Sequence, residues 1–183
     1  MAKKLIYHGD NYGGKLKLTD KYMKLSNNQE GMGIYFGNLS IARGYGDDIT
    51  EAEIDTSRFA DSRNPTYRVL SSRAVLKMLK YLAKEDLESM WYLATDYGFD
   101  VDMEDTIDVL PNLAHAMKDE EIRNFQITLA QSFGTVPLSK AWKSATRLMG
   151  LYHTENNPHD HSELTIYSVI DLEGLKYHRY NPE

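Results

Sequence analysis

Along the first sixty residues, apolar and polar positions alternate in short runs separated by turn residues. Residues 4–8 read as a strand, 11–14 as a turn, and 48–55, with Ile49, Ala52 and Ile54 among polar neighbours, as a second strand. Residues 33–37 are an apolar run between glycines, too short for a conventional core strand, and 40–45 has room for one or two turns of helix. From Tyr67 the period changes. Val69, Leu70, Val75, Leu76, Leu79 and Leu82 recur at helical spacing, and the pattern predicts further helices over 85–97, 106–117, 120–133 and 138–149. Asn64-Pro65, Gly98, Gly134 and Pro137 supply stops, while Pro111 falls inside the third segment as a potential break. Period two then returns with Leu164, Ile166, Tyr167, Val169 and Ile170 as one strand and 175–180 as another, joined by a turn at 171–174.

Strands flanking a helical block argue for an α+β fold: one domain over residues 1–183, its sheet built from the N- and C-terminal thirds, with a helical insertion at 66–147. Trp91, Phe125 and Trp142 in the insertion are expected in its core. With 42% hydrophobic and 26% charged residues the chain has the make-up of a folded globular protein. No apolar run reaches the roughly 20 residues of a membrane helix, and the opening residues lack the apolar stretch of a signal peptide, so no membrane association is expected. The absence of cysteine excludes disulfides, thiolate metal sites and cysteine nucleophiles, and a reducing cytoplasm is the natural setting. Charge is uneven. Residues 1–26 carry six lysines against two aspartates, whereas residues 85–125 carry twelve acidic side chains against Lys118 and Arg123. The net charge of −6 weighs against tight non-specific nucleic-acid binding.

Chemistry gathers in three islands. His8 ends a strand and precedes Gly9, so an imidazole stands beside backbone that a flat ligand can approach. Tyr35, between Gly33 and Gly37, and Tyr45, ten residues on, are two aromatic planes able to sandwich a cationic ring; a tight β-bend and chance pairing among thirteen tyrosines are the structural alternatives. Glu163 opens the most apolar strand, either as its edge residue or as a carboxylate positioned to support positive charge on a sugar carbon. Asp10 either bonds a ribose hydroxyl or begins the turn after the first strand.

Taken in order, Tyr7-His8-Gly9-Asp10, then Gly31-Met32-Gly33-Ile34-Tyr35-Phe36-Gly37-Asn38-Leu39-Ser40 with Tyr45, then Ser162-Glu163-Leu164-Thr165-Ile166-Tyr167 and Leu175-Lys176-Tyr177, the chain resembles the His-Tyr-Glu branch of the ADP-ribosyltransferase superfamily, which includes diphtheria toxin and the poly(ADP-ribose) polymerases. The resemblance covers roughly half the chain and omits the helical block. It implies a split β-sheet core, NAD as co-substrate and no metal. It also implies His8 on a ribose, Gly9 on the carboxamide, Tyr35 and Tyr45 on the nicotinamide ring, and Glu163 on the ribose 2′-hydroxyl. The implied activity is mono-ADP-ribosylation of a macromolecule, a protein first and a nucleic acid second, of the kind found in microbial or phage effectors acting in cytoplasm. Two positions depart from the polymerase pattern: Asp10 and Ala42 stand where those enzymes have serines. An NAD glycohydrolase, or a catalytically silent binding or inhibitor protein of the same fold, are the alternatives. A separate tract, His153, Glu155, His159, Asp160 and His161, has the composition of a metal site but lies in a stretch read as exposed loop without regular structure to fix ligands, where the histidines are placed to contact an acceptor instead.

Overall fold

The computed structural model describes residues 2–13, 16–18, 31–156 and 158–182. It is a mixed α+β structure with two sheets. The first holds β1 (Lys3–Asp10), β3 (Asp48–Asp55) and β7 (Lys176–Arg179), antiparallel in the order β1-β3-β7. The second holds β2 (Ile34–Phe36), β6 (Glu163–Val169), β5 (Gly150–Asn156) and β4 (Phe59–Asp61), with β4 parallel to β5. Where one sheet had been expected from the pattern, two meet at a narrow seam. There Tyr7 and Gly37 exchange both backbone hydrogen bonds, at 2.9 and 2.8 Å.

Ile6, Phe36, Ala52, Ile54, Phe59, Tyr167, Val169 and Leu175 fill the space between the sheets. A larger core lies on the other side of the four-stranded sheet, where Met32, Leu151 and Ile170 meet the helical block. That block runs from Thr66 to Ala145: α2 (Thr66–Val69), α3 (Ser72–Glu85), α4 (Leu87–Asp96), α5 (Thr106–Ala116), α6 (Ile122–Phe133) and α7 (Thr135–Ala145), after the short α1 (Leu39–Arg43) near the seam. Phe125 and Trp142 are fully buried as expected; Trp91 is only partly buried and donates its Nε1–H to the Val101 carbonyl at 2.7 Å. Among the described residues no helix is long and apolar enough to cross a membrane.

The departures from the sequence pattern have local causes. Asp86 ends α3 with its N–H on the Leu82 carbonyl and caps α4 with its carboxylate on Ser89, so one predicted boundary becomes a one-residue joint. Pro111 stays within α5 at an exposed position, and Ile107, whose carbonyl loses its amide donor, is exposed as well. Pro137 marks a start rather than a stop: it sits in the first turn of α7, where amides have no helical partner. β5 begins directly after the helix expected to end at 149 and includes residues 153–156 of the stretch read as exposed loop. Its outer half is exposed and so carries no apolar alternation, and Gly150 enters the sheet so closely that a Cβ would fall 1.8 Å from the Ser168 carbonyl oxygen.

Candidate functional site

The seam sets the geometry of His8. Ile6, His8 and Asp10 alternate onto the face of β1 that looks toward the inter-sheet core, and the His8 and Phe36 rings lie 5.5 Å apart. His8 Nδ1 is 2.7 Å from the Tyr35 main-chain oxygen. A carbonyl only accepts, so Nδ1 carries the proton and Nε2 is left as an acceptor in the neutral ring. Asp10 Oδ2 stands 3.6 Å from Nε2, while Oδ1 accepts the Tyr12 amide at 2.9 Å; Asp10 therefore begins the turn.

Gly9 is required by packing. A Cβ there would lie 1.8 Å from the Ala42 carbonyl oxygen, so α1 crosses directly over the strand. The reading of Gly9 as a glycine kept open for ligand approach is thus replaced by one in which the helix takes that space. Its peptide group is a different matter. Tyr7 turns its N–H and C=O toward Gly37, and in an unbroken strand Gly9 turns its own to the same edge. On the opposite face, burial, then the hydrogen bond to Glu51 and the charges of Glu51 and Tyr180, push the Tyr7 phenol above its ordinary range.

Tyr35 reaches this site through its backbone. It pairs with Ser168, whose buried hydroxyl donates to the Met32 carbonyl at 3.0 Å, and cross-strand partners share a face. The Tyr35 ring accordingly lies on the helical side of the sheet, with its hydroxyl donating to Gly31 O at 2.9 Å. Glu163 has the parity of Tyr167 and Val169, which belong to the inter-sheet core, so His8 and Glu163 share the inner face. Glu163 is exposed and precedes Tyr167, the partner of Phe36, by four residues, about 13 Å of strand. Between them on this face, Thr165 and Thr154 join hydroxyls at 2.9 Å and Lys4 Nζ stands 5.3 Å from the centre of the Tyr167 ring. Tyr45 lies on the turn after α1 with 74% of its surface exposed.

The histidine tract divides between two elements. His153 lies in β5 with Nε2 3.3 Å from Glu155 Oε1, and His161 takes a φ of 60° in the loop before β6. In that loop the Ser162 amide and hydroxyl bind Asp160 and hold its carboxyl below the usual carboxylate range. Among the described residues no three potential ligands gather around a metal position.

Other parts of the site were not visible in the sequence. Gln126, wholly buried on α6, accepts the Met32 amide at 2.9 Å and so ties the helical block to the segment leading into β2. At the end of the three-stranded sheet, Arg43 and Arg179 line a cleft of about 750 Å³ with Gly46, Asp47, Ile49 and Tyr180. Neither arginine sits in a recognisable motif; Arg179 arrives on β7, which pairs with β3 on the side away from β1, and Arg43 arrives on the last turn of α1. No protein-family model, curated protein or solved structure matches the chain.

Proposed function

We propose that this chain is an NAD-dependent mono-ADP-ribosyltransferase with a split-sheet core of the ADP-ribosyltransferase type, passing ADP-ribose to a macromolecular acceptor, foremost a protein, and releasing nicotinamide. The observation that carries the reading is the imidazole at the seam: Nδ1 is committed to the Tyr35 carbonyl at 2.7 Å, which leaves Nε2, 3.6 Å from Asp10 Oδ2, as the ring nitrogen to meet a sugar hydroxyl. Beside it the Gly9 peptide group offers one donor and one acceptor along a single edge, the complement of a primary carboxamide. Glu163 has the inward parity of His8 but lies about 13 Å of strand from Tyr167, longer than one nicotinamide riboside, so its contact with the ribose 2′-hydroxyl rests on the resemblance and is what Glu163→Gln tests. Tyr45, exposed beyond α1, is the ring available to lie over the nicotinamide, while Tyr35 contributes its carbonyl.

In this reaction the bond between C1′ and the nicotinamide nitrogen breaks, and both its electrons leave with the neutral base. Positive charge develops on the ribose. The Glu163 carboxylate, accepting a hydrogen bond from the 2′-hydroxyl, stabilises that charge more in the transition state than in the ground state. The acceptor's lone pair then forms the new bond to C1′ and the acceptor gives up its proton.

The test is incubation with labelled NAD and cell lysate, comparing the wild-type chain with Glu163→Gln. The expected result is label on precipitated macromolecules, falling by about 100-fold or more with the amide. NAD consumption without transferred label would assign the glycohydrolase activity instead. NAD left intact by the wild-type protein, with and without lysate, refutes both.

A further inference from the structure

The acidic helical block carries an apolar surface of its own. Through the 3₁₀ turn Met103–Asp105 and on into α5, Met103, Ile107 and Pro111 recur every four residues, which sets them along one side of the element. All three are exposed, Met103 to 38% and Ile107 to 43%. The row continues onto α4. There the Trp91 indole donates to the Val101 carbonyl at 2.7 Å, two residues before Met103, and the Tyr92 ring, 55% exposed, lies 5.0 Å from the Trp91 ring. Apolar side chains scattered singly over a surface are ordinary, but a ridge connected across two elements and bordered by polar groups marks an interaction surface.

The charge around the ridge selects the partner. One position after each member of the α5 row stand Glu104, Asp108 and Asn112, an exposed polar row of the same spacing, and Asp96, Asp100, Asp102 and Asp105 are exposed around it. No lysine or arginine occurs from Glu85 to Met117, so α4, α5 and the turn between them supply no such cation to offset these carboxylates. Pro111 adds an acceptor to the row, because without an N–H it leaves the Ile107 carbonyl lacking its helical donor. This field repels the phosphates of nucleic acid and of an anionic bilayer and attracts lysine and arginine. An apolar row beside an acidic row, both repeating every four residues, is matched by a helix whose apolar stripe is flanked by cations.

We infer that the ridge of Tyr92, Met103, Ile107 and Pro111 is a docking face for a basic amphipathic helix of a partner protein. The apolar side chains pack against the partner's stripe, while Glu104, Asp108 and their neighbours meet its lysines and arginines and steer its approach. The face belongs to the helical block rather than to the sheets at the seam, and the inference does not depend on the reaction proposed there.

The probe is a labelled synthetic helix of leucine, lysine and alanine with its leucines in one stripe and lysines on both sides, compared with a scrambled peptide of the same composition. Fluorescence anisotropy with the whole chain is expected to show the striped peptide binding at least tenfold tighter than the scramble. Met103→Ser with Ile107→Ser, both at exposed positions and checked for folding by circular dichroism, is expected to remove that preference and leave the charge-driven binding common to the two peptides. Glu104→Gln with Asp108→Asn is expected to weaken the striped peptide at least threefold. Hydrogen exchange of the wild-type chain, which needs no variant, is expected to show protection by the striped peptide over residues 91–112 and none in β1. Affinities of the two peptides within twofold, a folded serine variant that keeps the preference, or protection confined to other segments overturns the inference. A wild-type chain that sediments as a dimer, with the serine variant a monomer, would assign the ridge to a second copy and overturn the basic partner.

Discussion

Gly9→Ala adds a single carbon at the point where α1 crosses β1, and the structure sets the scale of the response. The new Cβ would start 1.8 Å from the Ala42 carbonyl oxygen and 2.7 Å from its carbonyl carbon, whereas real Cβ contacts begin beyond 3.0 Å, so the helix must retreat by more than an ångström. It is poorly placed to do so. The Asn38 side chain caps it at Ile41, and the preceding Gly37 is hydrogen-bonded on both sides of its peptide to Tyr7. Overpacking of this kind costs about 1–3 kcal/mol, and a backbone atom that cannot rotate away puts the expected loss at the upper end, about 3 kcal/mol. With a urea m-value of about 2 kcal/mol/M, the unfolding midpoint should fall by about 1.5 M. Gly98→Ala is the companion measurement. That glycine has a φ of 89° but open space around its Cβ position, so only the left-handed backbone is penalised, by about 1 kcal/mol. Urea titrations of both variants, with hydrogen exchange followed over residues 38–46, separate the two causes. A Gly9→Ala midpoint indistinguishable from wild type, with unchanged exchange in α1, would refute the packing account and return Gly9 to ligand approach.

Gln126→Leu removes the acceptor of the buried Met32 amide and is expected to destabilise the chain by about 1–3 kcal/mol, loosening the entry to β2; thermal unfolding and exchange at 31–36 would detect it, and an unaltered melting curve would count against the tie. Asp86→Ala removes the α4 cap and should cost about 1 kcal/mol at neutral pH. Hydrogen bonds from Ser89 hold the Asp86 carboxyl below its ordinary value of 3.8, so this stabilisation is present above that pH and lost as pH falls through the lowered folded value. Urea titrations of wild type and variant across that range should converge in acid; a gap that persists there would contradict the capping role.

Several elements could be read from the residues alone because their causes are local. Period two at 48–55 produced β3 with the same boundaries, the apolar run that opens at Glu163 produced β6, and the change to helical spacing at Tyr67 located the helical block. The joint at Asp86, the persistence of α5 through Pro111 and the start of α7 ahead of Pro137 turn on single capping or solvation events that periodicity does not register. β5 escaped for a different reason: its polar half gains its ladder from β6, a partner whose register no short window contains.

The residues by themselves determined which chemistry was available, an imidazole beside glycine at a strand end, tyrosines near Gly33 and Gly37, and a carboxylate at the head of an apolar strand, since residue type and local period are properties of neighbours in the chain. Tertiary structure decided how these groups are used. Pairing of β2 with β6 turned the Tyr35 ring toward the helices and left its carbonyl to hold His8, crossing of α1 over β1 explained Gly9, and β3 set Arg179 in line with His8. Face and register depend on contacts between segments far apart in sequence, and one step of register reverses every side chain of a strand, so they are fixed only when the sheets assemble.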